Sequence, residues 1–291
     1  MERVFVFVAV GDAHVRVANI ALRYLKHFTR SEIVVIKSRS AAEMNHDQVI
    51  DAQLPHHLDN HQGSIFLKTN LLNVLGAVRA SFCYLDNDVI AVNDAVDSIF
   101  DHTYGPVTFA RDHVSIDVFS RYAVNCLCTE NTCNHLRQSI LCDFAVDVGP
   151  CDWILWNGGV FLFDHESADF FGVWHNFTRQ ILANSFWRTR DQGTLAATVW
   201  KLGLQDQPIL PRLFNFIVDR FWGITLDKRA DVSPKQFHVW NDYSLDGADH
   251  RPRPVLLHFV NGGVQQVGWR NWDEVAALLG PSEQIGLAGT K

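Results

Sequence analysis

Two carboxylates interrupt an apolar run in this 291-residue chain, Phe82-Cys83-Tyr84-Leu85-Asp86-Asn87-Asp88-Val89-Ile90-Ala91-Val92. In an extended segment, residues two apart point the same way, so Asp86 and Asp88 are expected to project together, with Asn87 opposed. Two adjacent carboxylates repel and are costly near a core unless something positive lies between them. A hard divalent cation, magnesium or manganese, fits that need, because it prefers oxygen ligands and shares phosphate oxygens. The bland alternative is a turn carrying two solvated aspartates. An EF-hand is excluded, because from Asp86 the sixth loop position is Ala91 and the twelfth is Asp97.

Three further stretches carry chemistry. In DWILWNGGVFLF (152–163), Gly158 and Gly159 let a ligand approach the backbone closely, and Asn157 offers both a donor and an acceptor. Asp191-Gln192-Gly193-Thr194-Leu195 opens an expected helix, for which Asp191 is also a plausible N-cap. His258, in HFVNGG (258–263), sits at a strand end before a glycine-rich turn, where an imidazole can ligate metal.

Five of the six cysteines, Cys126, Cys128, Cys133, Cys142 and Cys151, crowd into one segment. Free, reduced thiols are the expectation for a chain without an export signal. A zinc site drawn from Cys126, Cys128, Cys133 and His135 matches no common zinc spacing.

The elements that must position these residues follow from periodicity. Val4–Val10 is a continuous apolar run, expected of a strand covered on both faces. It is short and Val/Phe-rich for a signal peptide and is followed by a poor cleavage region, so a cytoplasmic location is expected. Asp12 is expected to cap a helix, and Glu32–Lys37 is the next strand, giving a β-α-β unit and hence a parallel sheet. A helix over Ser64–Arg79 leads into the strand Phe82–Leu85. Strands over Val107–Ala110, Trp156–Phe163 and Val255–Val260 follow, with helices near Glu166–Ala183 and Gln192–Leu202. This alternation predicts one α/β domain over 1–291. Residues 113–150 are expected to insert over the sheet edge, and 281–291 to form a loose tail.

Composition narrows the functions. Lys+Arg is 25 against Asp+Glu 32, a formal charge of −7, without the basic footprint of a nucleic-acid binder. No apolar stretch is long enough for a membrane-spanning helix.

The order of the motifs resembles the glycogenin-like glycosyltransferases, which include the bacterial lipopolysaccharide galactosyltransferases. YLDNDVIAVNDAVDSIF (84–100) is similar to the family's D-x-D segment, DWILWNGGVFLF to its Asn-x-Gly-Val strand, and DQGTL (191–195) to its Asp-Gln helix start. LPRLFNF (210–216) resembles its Leu-Pro…Asn loop, HFVNGG its late His motif, and FVAVGDAHV (7–15) its opening nucleotide-binding strand. The resemblance implies a single-domain, Rossmann-like GT-A fold with a mostly parallel central sheet. It also implies a UDP-sugar donor, a saccharide or glycan acceptor, manganese or magnesium, and retention of anomeric configuration. By position, Val8, Val10, Gly11 and His14 would hold the uridine, and Lys68 would lie near the donor. Asp86, Asp88 and His258 would hold the metal, with Asp86 also on the donor side. Asp112, Asn157 and Asp191 would contact the donor sugar along the Gly158-Gly159 backbone, and Gln192 would lie beside the anomeric carbon. The family's His motif continues Lys-Pro-Trp, whereas no Lys lies here between His258 and Trp269; Arg270, another basic residue or the metal alone would then support the leaving diphosphate. Gly11 and His14 replace a common Asn and Tyr.

Three other readings stay open on the residues. An inverting glycosyltransferase would use Asp191 or Asp152 as base. A haloacid-dehalogenase-like phosphatase shares the apolar strand and Asp-x-Asp, but has its motif near the N-terminus and seldom an Ile at position 90. A carbohydrate-binding protein would use the nine Trp and 14 His residues, but leaves the paired aspartates unexplained.

Overall fold

The apolar run at the start of the chain forms β1 (Glu2–Val10), and its two faces enter different cores. Phe5, Phe7 and Ala9 pack under α1 (Asp12–Phe28), while Val4, Val6, Val8 and Val10 pack on the opposite side of the sheet. This is how a period-2 strand serves two helical layers. The structure, a computed structural model, describes residues 1–218 and 254–260. Asn261 to Gly263, Trp269, Arg270 and the expected tail over 281–291 lie outside the described residues.

The main sheet has the order β3-β2-β1-β4-β7-β6. Its strands are β1, β2 (Glu32–Ser38), β3 (Val49–Asp51), β4 (Ala80–Leu85), β6 (Val107–Ser115) and β7 (Ile154–Phe163). β3, β2, β1 and β4 run parallel, and β7 is antiparallel to both neighbours. The mostly parallel α/β architecture expected from the alternating pattern is therefore present. β5 (Val89–Ala91), β8 (Phe216–Val218) and β9 (Leu256–Phe259) form a second sheet of order β5-β9-β8. One face of the main sheet is covered by α2 (Asn60–Thr69), α3 (Leu71–Leu75), α6 (Ala168–Ile181) and α7 (Arg190–Lys201).

Several local expectations change. The single helix over Ser64–Arg79 is two: α2 starts four residues earlier, where Asp59 and Gln62 make a capping box, and ends at Asn70, whose non-helical φ −112° and ψ 19° separate it from α3. Gly76, at φ +69°, then ends α3. Asp12 does not cap α1. It is the first helical residue, and its carboxylate accepts from Ser40 Oγ (2.6 Å), Ala41 N and Ala42 N across a loop. Residues 113–150 contain α4 (Ile116–Ala123) and α5 (His135–Phe144). Their apolar faces form a third core with Phe177 and Ile181 of α6 and Ala196 and Ala197 of α7. They therefore cover helices as well as the sheet edge. Among the described residues no helix is long and apolar enough to cross a membrane.

Candidate active site

The candidate residues meet at the carboxyl ends of β1 and β4, where ligands bind in open α/β sheets. Asp86-Asn87-Asp88 is a turn between β4 and β5 and not an extended segment, closed by Val89 N donating to Asp86 O at 3.0 Å. The turn still aims both carboxylates into one site. Asn87 faces away and donates to Val8 O at 2.8 Å, tying the turn to β1. Phe259 N donates to Asp88 O at 2.9 Å, which pins β9 beside the turn. Pairing of Val89 with His258 then sets the imidazole next to Asp88.

Ligand atoms of Asp86, Asp88 and His258 lie within 4.8 Å of one another. His258 Nε2 is 3.5 Å from Asp88 Oδ1, and Nδ1 is 3.0 Å from Asn215 Oδ1. A proton on Nδ1, donated to Asn215, leaves Nε2 directed at Asp88 as the nitrogen that would ligate a metal once its own proton is lost. Asn215 is 2% exposed and also donates to Asn157 Oδ1 at 3.0 Å. Asn157 donates in turn to Asp112 Oδ2 at 2.8 Å. The chain Asp112–Asn157–Asn215–His258 is thus a buried, connected polar network that holds the imidazole in place.

Lys68, on α2, closes the other side. Its ammonium is buried, 3.2 Å from both Asp86 oxygens and 3.0 Å from Asp191 Oδ2. Burial alone would depress its pKa, but the two carboxylates more than offset this and hold the amine charged. Burial also works against the Asp191 carboxylate, and Lys68 together with the Gln192 N–H outweighs it, holding Asp191 below the ordinary range. Tyr84 donates to Asp86 Oδ1 at 2.6 Å, and its buried phenol is pushed well up, so it remains a donor. For His258, burial is overcome by Asp88 and Asp86, which raise its pKa. Among the described residues, three carboxylates (Asp86, Asp88 and Asp191) thus face one permanent cation, Lys68. That excess of anion, with one imidazole among the donors, suits a divalent manganese or magnesium ion.

The Gly158-Gly159 pair has a separate role at each position. The β6–β7 ladder breaks between Phe109/Phe161 and Ala110/Asn157, leaving residues 158–160 bulged away from β6. Gly158 N then donates to Gln192 Oε1 at 3.0 Å, and Gly159 N to Asn157 Oδ1 at 2.9 Å. A Cβ on Gly158 would lie 3.4 Å from Lys68 Nζ and 3.5 Å from Gln192 Oε1. A Cβ on Gly159 would lie 2.2 Å from His258 Cε1, so the imidazole occupies the space that glycine leaves. Gln192 is fixed at both ends, since its amide nitrogen donates to Trp156 O.

Other sequence-expected residues sit differently. Asp191 is not an N-cap: Thr189 holds that position, and the Asp191 carboxylate turns to Lys68. Val8 and Val10 bury their side chains in the core, so only backbone is left to face a ligand. Gly11, at φ +80°, passes so close to α2 that a Cβ would lie 2.3 Å from Asn60 Nδ2. Among the described residues His14 Nδ1 is buried without a hydrogen-bond partner, near Asp86 and Asp88. Burial, then neighbouring His61, lowers its pKa, so it is neutral. Asp112 is buried, its oxygens occupied by Asn157 Nδ2 and by His113 N at 2.7 Å. Asp152 is exposed in the turn before β7. Residues the sequence did not single out are Tyr84, His61 and Asn215. Only Asn215 had a signal, as the asparagine of LPRLFNF.

No protein-family model matches the chain, and no curated protein matches it in sequence. Solved structures do match it. The galactosyltransferase LgtC, in complex with donor and acceptor sugar analogues, superposes with a TM-score of 0.55 at 15% identity, covering 98% of this chain and 99% of that one. Mouse xyloside xylosyltransferase 1, apo form, gives 0.52 at 11% identity, covering 90% and 99%. The fold is the GT-A glycosyltransferase fold. The apo bifunctional glycosyltransferase WbbM gives 0.50 at 12% identity over 75% of this chain, which spans only 40% of that longer protein. Within this GT-A fold the bulged β7, the 86–88 turn and the start of α7 face one another.

Proposed function

We propose that the protein is a metal-dependent glycosyltransferase that moves a sugar from a UDP-sugar to a hydroxyl of a saccharide or glycan, with retention. The observation that carries this is the clustering of Asp86, Asp88 and His258 beside Lys68, Asp191 and Gln192, in a fold shared with glycosyltransferases.

Asp86, Asp88 and His258 would hold manganese or magnesium. When bound, the ion supplies electrophilic stabilisation of the charge left on the departing diphosphate. Asn215 fixes the His258 tautomer, and Tyr84 and Lys68 orient Asp86. Lys68 adds a permanent positive charge near the donor, where the sequence lacks the family's lysine after His258. The end of β1, Gly11 and the His14 imidazole would receive the uridine. The sugar would lie over Gly158, between the Lys68 ammonium and the Gln192 amide oxygen. There Asp191 would accept hydrogen bonds from sugar hydroxyls, and Gln192 would present its oxygen to the electron-poor anomeric carbon. Asn157 would contribute through its hold on the bulge, and Asp112 by orienting Asn157 from behind.

Retention is favoured over inversion because Asp191 is ion-paired and held below the ordinary carboxylate range. A carboxylate so depressed is a weak proton acceptor for general base catalysis.

The test is a screen of nucleotide sugars with and without manganese, reading release of the nucleoside diphosphate. One donor should be hydrolysed slowly without acceptor and only with metal. Failure of every donor, or equal rates with chelator, overturns the proposal.

A further inference from the structure

The loop between α4 and α5 and the first residue of α5 carry a second cluster, none of whose residues has a role above. Cys126, Cys128, Cys133 and His135 each bring a ligand atom within 4.8 Å of the others. We propose that these four side chains form a closed, structural zinc site that staples α5 in place behind α7.

Three observations carry it. The first is geometry. In a tetrahedral zinc site, bond lengths of about 2.3 Å to sulfur and about 2.0–2.1 Å to nitrogen put two sulfurs about 3.8 Å apart and a sulfur and a nitrogen about 3.6 Å apart. Here Cys126 Sγ and Cys133 Sγ are 3.7 Å apart, and Cys128 Sγ and His135 Nδ1 are 3.4 Å apart. These are two opposite edges of such a tetrahedron, already formed.

The second is burial. From Asn125 to His135 the four candidate ligands are the residues that are not exposed. Leu127, between two of them, is fully exposed. The loop therefore has no apolar core of its own, and its four inward side chains are those that bind zinc best. Three thiols and an imidazole make a poor core but a complete Cys3His ligand set.

The third is the support around the cluster. Ser120 Oγ, fully buried, accepts from Leu136 N at 2.8 Å and lies 3.1 Å from Cys133 Sγ. Its own proton can point to a thiolate, as an outer-shell donor to a zinc ligand does. Arg137 and Asp117 form a two-pronged ion pair at 2.7 and 2.9 Å, and Cys133 N donates to Asp117 O. Both ends of the loop are thus held in register while its middle depends on the cluster. Zinc binding would displace the three thiol protons to solvent, with no change in oxidation state.

The consequence reaches the α7 side of the fold. Leu136, the residue after His135, packs in one core with Trp187, Ala196 and Ala197, and Trp187 packs against Gly193 of α7. Loss of the staple would loosen the buttress behind Asp191 and Gln192.

The test is metal analysis of the full-length protein purified without chelator. Roughly one tightly held zinc per chain is expected. The metal-free protein should take up cobalt with a thiolate charge-transfer band. Cys128→Ser and Cys133→Ser should lose both signals, while Cys142→Ser and Asp88→Ala keep them. The Asp88→Ala arm separates this site from the Asp86–His258 cluster, so this proposal survives or fails independently of the glycosyltransferase reading. Should the serine variants not fold, titrating the wild-type thiols with an organomercurial must release zinc in step with thiol loss. The proposal is overturned by a zinc-poor protein with no cobalt–thiolate band and six freely titrating thiols. A Cys126–Cys133 disulfide in the unreduced protein overturns it equally.

Discussion

Replacing Gly159 by alanine should unseat His258 and so weaken manganese binding at the proposed site. A Cβ at 159 falls 2.2 Å from His258 Cε1, 2.7 Å from Nδ1 and 2.9 Å from Nε2. Carbon atoms in contact sit about 3.5–4.0 Å apart, so the ring or the strand must shift by more than about 1 Å. The ring has little room, being 4% exposed and held on a strand paired with Val89 on one side and Ile217 on the other. A shift of that size breaks the 3.0 Å contact with Asn215 Oδ1 and turns Nε2 away from Asp88. Overpacking of this kind costs about 1–3 kcal/mol, and a chain of this size loses roughly 2–4 °C in Tm per kcal/mol. Disturbing the group that orients a metal-binding imidazole lowers metal affinity about 10–100-fold. Gly158→Ala is the control. Its Cβ meets Lys68, Gln192 and Leu195 at 3.4–3.7 Å, ordinary contact, so stability and metal affinity should be kept even if sugar transfer falls. The assays are calorimetric titration of manganese in the presence of UDP and a thermal melt of both variants. Wild-type manganese affinity in Gly159→Ala would refute the role given to His258.

Asp88→Ala should abolish metal-dependent release of nucleoside diphosphate while the fold persists, since Asp88 is partly exposed; near-normal turnover with manganese would remove Asp88 from the ligand set. Asp191→Asn keeps the shape of the side chain but loses the charge facing Lys68. A hydrogen bond to a charged group is worth about 1.5–3 kcal/mol, so turnover should fall about 10–150-fold, and full activity would return Asp191 to a structural role. Gln192→Ala should lower turnover with UDP affinity nearly unchanged, because Gln192 is assigned to the anomeric carbon and not to the phosphates; parallel loss of both would contradict that split. Stability should also depend on pH through Asp191. Its folded pKa is below its unfolded value of about 3.8, so its contribution is present above that pH and is lost as pH falls through the folded value. Urea melts of wild type and Asp191→Asn should therefore differ fully above about pH 3.8 and begin to converge only as pH falls below it toward the folded value, and a constant difference down to the most acid pH would show the pair contributes nothing.

The residues alone marked out candidate groups for chemistry and the strands expected to carry them. Val4–Val10 reads as a strand covered on both faces, and Asp86, Asp88, Asn157, Gly158 and Gly159 stand out because polar or glycine residues interrupt such runs. These are local signals, set by the period of a strand and the cost of charge near a core. Tertiary structure decided how those groups engage one another. Lys68 meets Asp191 across 123 residues, and His258 meets Asn215 across 43. The 86–88 segment became a turn and not a strand because β4 ends at Leu85 and β5 belongs to a different sheet. Gly159 had to be glycine for the imidazole of a distant strand, which no spacing in its own segment reveals. The cysteine spacing matched no familiar pattern because α4 and α5, held together by Asp117, Arg137 and Ser120, fold the loop until Cys126, Cys128, Cys133 and His135 converge. Periodicity reports what a residue's neighbours along the chain require, whereas a site is made by side chains whose proximity comes from sheet order and helix packing.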